Sequence, residues 1–86
     1  MQNPNNEKQI QILCKNIAFL RKDNHLSKKE MAAILGIGMQ SLTKLENGEL
    51  PPHLRVDVIF HIYDRFRILP QALVSQLLEA EQTNRK

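Results

Sequence analysis

The chain has 86 residues, of which 42% are hydrophobic and 24% are charged, and its formal net charge at pH 7 is +3. This length supports one small core and excludes an active site enclosed between two domains. The single cysteine excludes an internal disulfide, and no apolar run marks a signal peptide or a membrane span, so we expect a cytoplasmic protein. Three glycines, four aromatic residues and no tryptophan favour an all-α fold.

The first predicted helix follows a short polar tail. Residues 1–6 show no periodicity and are expected to be disordered. From Glu7 to about Asp23, apolar side chains recur at spacings of three and four, which places them on one helical stripe. These side chains are Ile10, Leu13, Ile17 and Leu20. Cys14 borders the stripe, which indicates a small buried hydrophobe rather than a reactive thiol.

Two short helices are predicted next, with a tight turn between them. Ser27 and Glu30 have the spacing of a capping box, in which each side chain binds the other residue's backbone N–H, so the second helix begins there. It ends after about eight residues at Gly36, because glycine tolerates the left-handed conformation that closes many helices. Residues 36–38 form the turn, and a third helix runs over residues 39–46.

The second half of the chain predicts two further helices. Beyond a proline-containing linker, residues 49–52, apolar residues keep a helical spacing in a fourth helix. They are Leu54, Val58, Ile59, Ile62 and Phe66. Pro70 suits the first position of a fifth helix, and a polar tail covers residues 81–86. The expected domain therefore spans residues 7–80 and contains five helices.

The third predicted helix presents polar side chains that suit DNA. Two helices joined by a three-residue turn with glycine form a helix-turn-helix, whose second helix can enter the major groove. If Leu42 and Leu45 face the core, the helical period directs four polar residues outward: Gln40, Thr43, Lys44 and Asn47. Gln binds adenine, Lys binds guanine or a phosphate, and the Thr methyl contacts thymine. A merely amphipathic surface helix is the alternative explanation.

The segment from Leu26 to Gly48, LSKKEMAAILGIGMQSLTKLENG, resembles the helix-turn-helix of the phage repressor and Cro family of bacterial regulators. Ten residues fall where that family's motif places them: Met31, Ala32, Leu35, Gly36, Ile37, Leu42, Leu45, Glu46, Asn47 and Gly48. A looser similarity continues over residues 62–74. The resemblance implies a lambda-repressor-like five-helix fold, bacterial or phage-encoded, with the second and third helices as its helix-turn-helix and double-stranded operator DNA as its partner.

The resemblance also implies roles for residues around the third helix. Arg21 and Glu46 stand where the family commonly has a structural ion pair. Lys28 stands where the family often has a glutamine that contacts phosphate, and Lys29, Ser41 and Asn47 are expected as further phosphate contacts. Both lysines oppose the dipole of the second helix, which a DNA phosphate at that helix end would offset. Solubilising surface lysines are the alternative.

Three residues depart from the family's pattern. Gly38 replaces the usual Ser or Thr cap of the recognition helix, a change that costs only a few tenths of a kcal/mol. Met39 occupies a position that often contacts bases, and we count it with the base-reading residues, although its projected angle favours packing on the core. Glu49 stands where the family frequently has a cation, which predicts weak or dimer-dependent DNA binding.

Other candidate sites have structural explanations. His53 and His61 lack the further ligands that a zinc site needs. Asp57, His61 and Arg65 are spaced by four, which is typical of a solvated helix edge rather than of acid–base catalysis. We therefore expect no catalytic residue, no metal, no cofactor and no small-molecule substrate.

The expected function is sequence-specific DNA binding by a repressor-like transcriptional regulator. Leu73, Leu77 and Leu78 of the fifth predicted helix offer a homodimer contact, and the alternative is that this is simply the last core helix. The competing functional class is a protein-interaction module of the same fold, such as an antirepressor or the partner of a toxin. RNA binding lacks the stacking aromatic residues that it needs.

Overall fold

The computed structural model describes residues 4–52 and 54–78, and these form five helices without any strand. The helices are α1 (Pro4–Asp23), α2 (Lys28–Leu35), α3 (Met39–Glu46), α4 (Asp57–Phe66) and α5 (Pro70–Ser75). The predicted all-α, five-helix fold is confirmed. None of the helices is long and apolar enough to cross a bilayer in the part of the chain described.

Helix α1 begins at Pro4, three residues before its predicted start at Glu7. Proline suits the first helical position because its missing N–H would have no partner inside the helix. Part of the predicted N-terminal tail is therefore helical, while residues 1–3 and the predicted C-terminal tail lie outside the described residues. Cys14 is buried in α1, and burial raises the pKa of its thiol. This environment agrees with a packing role for the side chain.

The turn between α2 and α3 is built as the sequence predicts. The Ser27 hydroxyl accepts a hydrogen bond from the Glu30 N–H (3.1 Å), and the Glu30 carboxylate accepts one from the Ser27 N–H (2.8 Å). Helix α2 ends at Gly36, which adopts φ +73°, a left-handed conformation that favours glycine. Gly38 begins α3 without any side-chain cap.

The five helices enclose one apolar core. Helix α1 packs against α3 and α5, and α2 packs against α3 and α4. The largest apolar side chains that are fully buried come from all five helices: Ile17, Met31, Leu35, Leu42, Leu45, Ile62 and Leu73. Helix α3 thus lies on one side of the core, attached through its two leucines to α1 and α2.

Helix α5 is shorter than its apolar pattern predicts. The buried side-chain amide of Asn16, on α1, binds backbone groups of α5 and of the residues that follow α5. Asn16 is 1% exposed, and its Nδ2 donates to the carbonyl oxygens of Leu73 (2.7 Å) and Gln76 (2.8 Å). Its Oδ1 accepts from the Leu78 N–H (3.0 Å). Gln76 is extended (φ −128°, ψ 134°), so Leu77 and Leu78 lie beyond α5.

This arrangement corrects the predicted dimer stripe on the fifth helix. Leu73 is fully buried and Leu78 is 7% exposed, both within the chain's own core. Of the three leucines, only Leu77 is substantially exposed, at 41%. The stripe was predicted from helical spacing, which does not apply where the backbone becomes extended.

Candidate nucleic-acid interface

Helix α3 turns its polar side chains away from the core. Leu42 and Leu45 are fully buried, whereas Gln40, Lys44 and Asn47 are exposed. The remaining two polar candidates on this helix, Ser41 and Thr43, are half-buried. All five predicted polar contacts on or beside α3 are therefore at least partly accessible, and the outward flank of α3 is not covered by the part of the chain that the structure describes.

A bidentate ion pair joins α3 to α1. Arg21 Nε lies 2.6 Å from Glu46 Oε2, and Arg21 Nη2 donates to Glu46 Oε1 at 3.1 Å. Arg21 Nη1 also donates to the Leu26 carbonyl oxygen (3.1 Å), in the connection that leads to α2. The hydrogen bond to Glu46 raises the pKa of the Arg21 guanidinium, against the opposing effect of burial. One side chain thus ties together α1, the start of the helix-turn-helix and the end of α3.

Three lysines give this face its positive charge. Lys28 and Lys29 are the first two residues of α2, and Lys44 lies on α3. Lys29 and Lys44 are exposed. Within residues 4–52 and 54–78 the ion pairs are Arg21–Glu46 and Arg55–Asp57, so none of these three ammonium groups is neutralised by a described carboxylate. The carboxylate of α3 itself is compensated by Arg21. These three cations favour an anionic partner beside the outward flank of α3.

Lys28 and Thr43, which were predicted to contact phosphate and base respectively, meet in the structure. The Lys28 ammonium donates to the Thr43 hydroxyl oxygen at 3.4 Å, across the angle between α2 and α3. The residues are 15 apart in sequence, so no helical spacing predicts the contact. The hydrogen bond places a cation from α2 beside the centre of α3.

Met39 is 50% exposed, so the expectation that it packs on the core is wrong. Ile37, in the turn just before α3, is half-buried against the core at this end of the helix. Met39 instead offers an apolar surface at the start of the outward flank, where a contact with a thymine methyl stays a prediction.

His61 supports the turn from the opposite side. Its Nδ1 lies 2.9 Å from the carbonyl oxygen of Leu35, and because a carbonyl only accepts, this nitrogen carries the proton. A Cβ atom at Gly36 would lie 3.2 Å from the imidazole ring. His61 is thus a structural contact between α4 and the end of α2. His53 lies outside the described residues.

The other candidates for catalysis or metal binding are not assembled into a site. Asp57 pairs with Arg55 at 3.4 Å, and the Arg65 guanidinium lies over the Phe66 ring, 5.6 Å from its centroid. In the described ranges no three His, Cys, Asp or Glu residues cluster closely enough to hold a metal ion.

Comparison with protein families identifies the segment that contains these features. A family model described as "Helix-turn-helix" matches residues 17–56, which run from the middle of α1 to the residue before α4. No curated protein and no solved structure matches the chain. The matched segment includes both partners of the Arg21–Glu46 ion pair, the turn at Gly36 and the whole of α3. The match of residues 17–56 to the helix-turn-helix family supports the resemblance of this segment to the phage repressor and Cro type.

Proposed function

We propose that this protein is a sequence-specific transcriptional regulator of the repressor type, which inserts α3 into the major groove of double-stranded DNA. The observation that carries the proposal is the exposed polar flank of α3. Two fully buried leucines and a bidentate ion pair attach the opposite side of α3 to the core. A helix held in this way meets a groove without rearrangement, so little ordering of the protein opposes binding.

Four residues are proposed to read bases. Gln40 is exposed near the start of α3, and Lys44 is exposed near its end. Glutamine can bind N6 and N7 of adenine, and lysine can donate to O6 and N7 of guanine. Thr43 lies between them, and Met39 offers its side chain to a thymine methyl. These four residues span about one and a half helical turns, which suits the few base pairs that one recognition helix contacts.

Four further residues are proposed to position the protein on the phosphates. Lys28 and Lys29 lie in the first turn of α2, where backbone N–H groups and the helix dipole also favour an anion. Ser41 and Asn47 flank the recognition surface on α3. Contacts of this kind set the register of the protein on the duplex but carry no sequence information.

We also propose that the protein binds its operator as a homodimer. A single helix-turn-helix with three lysines makes few phosphate contacts, and two copies on half-sites about 34 Å apart would double them. The predicted leucine stripe does not supply the dimer contact as a whole, because two of its three members are buried. Sedimentation analysis with and without duplex tests the dimer, and a monomer under both conditions at high concentration contradicts it.

Selection of bound sequences from a random duplex pool tests the DNA-binding proposal directly. We expect enrichment of one sequence with two-fold symmetry. Gln40→Ala should relax the preference at one base position, whereas Lys29→Met should weaken binding to all sequences alike. Lys15→Met, a change of an exposed lysine on α1 outside the helix-turn-helix, is the matched control and should change the affinity less than Lys29→Met. A pool that shows no enriched sequence would refute the proposal.

One observation favours the competing class, a protein-interaction module of the same fold. Phe60 and Tyr63, which are 57% and 37% exposed, lie three apart on one face of α4. Val56, the residue just before α4, is 70% exposed and stands four residues before Phe60. Salt separates the two functions. Binding to random duplex should weaken steeply as salt rises, whereas an apolar protein contact should persist.

A further inference from the structure

Lys28 and Thr43 form a polar contact on the face that the proposed function assigns to DNA. Lys28 is the first residue of α2 and is half-buried, and Thr43 is half-buried in the middle of α3. The 3.4 Å hydrogen bond between them crosses from one helix of the helix-turn-helix to the other. The two side chains must therefore meet a duplex together.

The chemistry of the two groups fixes the direction of their hydrogen bond. An ammonium group has three N–H donors and no acceptor, so the Thr43 oxygen must accept and its own hydroxyl proton must point elsewhere. Threonine in a helix often donates to a carbonyl one turn earlier. Thr43 makes no such bond within residues 4–52 and 54–78, so its proton remains available.

We propose that Lys28 and Thr43 act as one donor-rich unit that selects guanine at one position of the operator. This inference rests on the proposed function. The unit presents three donors, which are the Thr43 O–H and the two remaining N–H bonds of Lys28, against one acceptor, which is the second lone pair of the Thr43 oxygen. In the major groove guanine offers two adjacent acceptors, O6 and N7, whereas thymine offers one acceptor beside a methyl group, adenine one donor beside one acceptor, and cytosine an amino donor. A threonine hydroxyl alone binds donors and acceptors alike, so Lys28 supplies the selectivity, because it occupies one of the two lone pairs and adds two donors.

The remaining donors of Lys28 suit either a guanine edge or a DNA phosphate oxygen. Both are hydrogen-bond acceptors, and the ammonium has enough protons to bind Thr43 together with one of each. If Lys28 contacted phosphate alone and gave up its bond to Thr43, the Thr43 hydroxyl would be free to bind any base. The two sources are separable because only the guanine edge depends on the base sequence.

The test is a selection of duplex sequences repeated with isosteric variants. Thr43→Val removes the hydroxyl and identifies the base position that it contacts, and Thr43→Ser, which keeps the hydroxyl, should preserve the guanine there. Lys28→Met should reduce the preference for guanine over cytosine at the same position by about tenfold, the effect of one good hydrogen-bonding contact. Lys29→Met is the matched control, because it removes the neighbouring exposed lysine and should leave that preference unchanged.

Two modified duplexes distinguish base from phosphate. Replacing the selected guanine by 7-deazaguanine removes N7 and should weaken the wild-type protein about tenfold, but should change the binding of the double variant Lys28→Met/Thr43→Val little. A neutral methylphosphonate beside that position should weaken the wild-type protein and Thr43→Val equally. Thermal unfolding followed by circular dichroism confirms that each variant is folded before its binding is compared.

Particular outcomes overturn the inference. If Lys28→Met weakens all sequences equally and leaves the guanine preference intact, Lys28 contacts phosphate only and the unit does not exist. If the wild-type protein selects cytosine, adenine or thymine at the position that Thr43→Val identifies, the unit does not select guanine and the inference is wrong. Failure to enrich any sequence is a different result, because it rejects the proposed function itself.

Discussion

Replacing Glu46 by glutamine tests how firmly the Arg21–Glu46 ion pair holds the recognition helix. In the native protein both carboxylate oxygens accept from the guanidinium, at 2.6 Å and 3.1 Å. Glutamine keeps the shape of the side chain but carries no charge. Its amide nitrogen is a hydrogen-bond donor and would face an N–H donor of the Arg21 guanidinium. Arg21 therefore loses one hydrogen bond and its counterion, while its bond to the Leu26 carbonyl remains.

The expected loss of stability follows from the burial of the pair. Breaking a fully buried ion pair costs about 3–5 kcal/mol, whereas an exposed pair contributes about 0–1 kcal/mol. The side chains of Arg21 and Glu46 are 16% and 10% exposed, so solvent screens them only in part. We expect Glu46→Gln to reduce the free energy of unfolding by about 2 kcal/mol. For a domain of this size that corresponds to a fall in Tm of about 8–16 °C.

Thermal and urea unfolding of a double-mutant cycle measures this interaction. Arg21→Met and Glu46→Gln, alone and combined, should give a coupling energy of about 1 kcal/mol or more, because the double variant leaves neither charge unpaired. Arg55 and Asp57 are the matched control, since that pair is 3.4 Å apart and its side chains are 79% and 40% exposed. A coupling at Arg21–Glu46 as small as at this control pair would refute the argument from burial.

The remaining predictions concern single positions. Gly38→Ser should stabilise the protein by about 0.5 kcal/mol, because φ −76° suits any residue, nothing lies near its Cβ and serine caps α3. Gly36→Ser should cost about 1–3 kcal/mol in the same thermal unfolding assay, because its φ is +73° and an imidazole ring lies 3.2 Å from a new Cβ. Asn16→Ala should cost about 3 kcal/mol, since it leaves three backbone groups without their partner, and urea unfolding measures the loss. The backbone N–H and then the hydroxyl of Ser27 lower the pKa of Glu30, so its contribution to stability is present above about pH 4.3 and is lost as the pH falls through the lowered value. A carboxyl NMR titration checks this, and Ser27→Ala should reverse the shift only in part because the N–H is retained.

Local chemistry made the helix-turn-helix predictable from sequence. The capping box at Ser27 and Glu30, the left-handed turn at Gly36 and the bounds of α3 depend on residues within about four positions of one another. Such short-range signals determine where a helix begins and ends whatever the rest of the chain does. The inward direction of Leu42 and Leu45 follows from the same short spacing.

Contacts between distant residues were not predictable in the same way. Asn16 binds the backbone of Leu78 across 62 positions, and His61 binds that of Leu35 across 26. Only one signal in the sequence pointed to the first contact, namely an amide among the apolar residues of α1. That contact shows why the predicted fifth helix is too long and why two leucines of the predicted stripe are buried rather than exposed. The side chain that binds the end of α5 lies on another helix, α1, so no local pattern indicates it.

The charges around α3 determine how the protein should respond to salt. Glu46, the acidic residue of α3, is neutralised by Arg21, so it does not repel a duplex. Three lysines remain to neutralise phosphate charge, two at the start of α2 and Lys44 on the recognition helix. Each phosphate neutralised contributes about −0.9 to the slope of log affinity against log salt. One protein on one site should therefore show a slope of about −3, and a dimer on two half-sites about −5. A slope near −5 with a monomer in sedimentation would mean that the dimer forms on the duplex. A slope near zero would mean that the lysines do not face DNA, and the exposed face of α4 would then become the favoured binding surface.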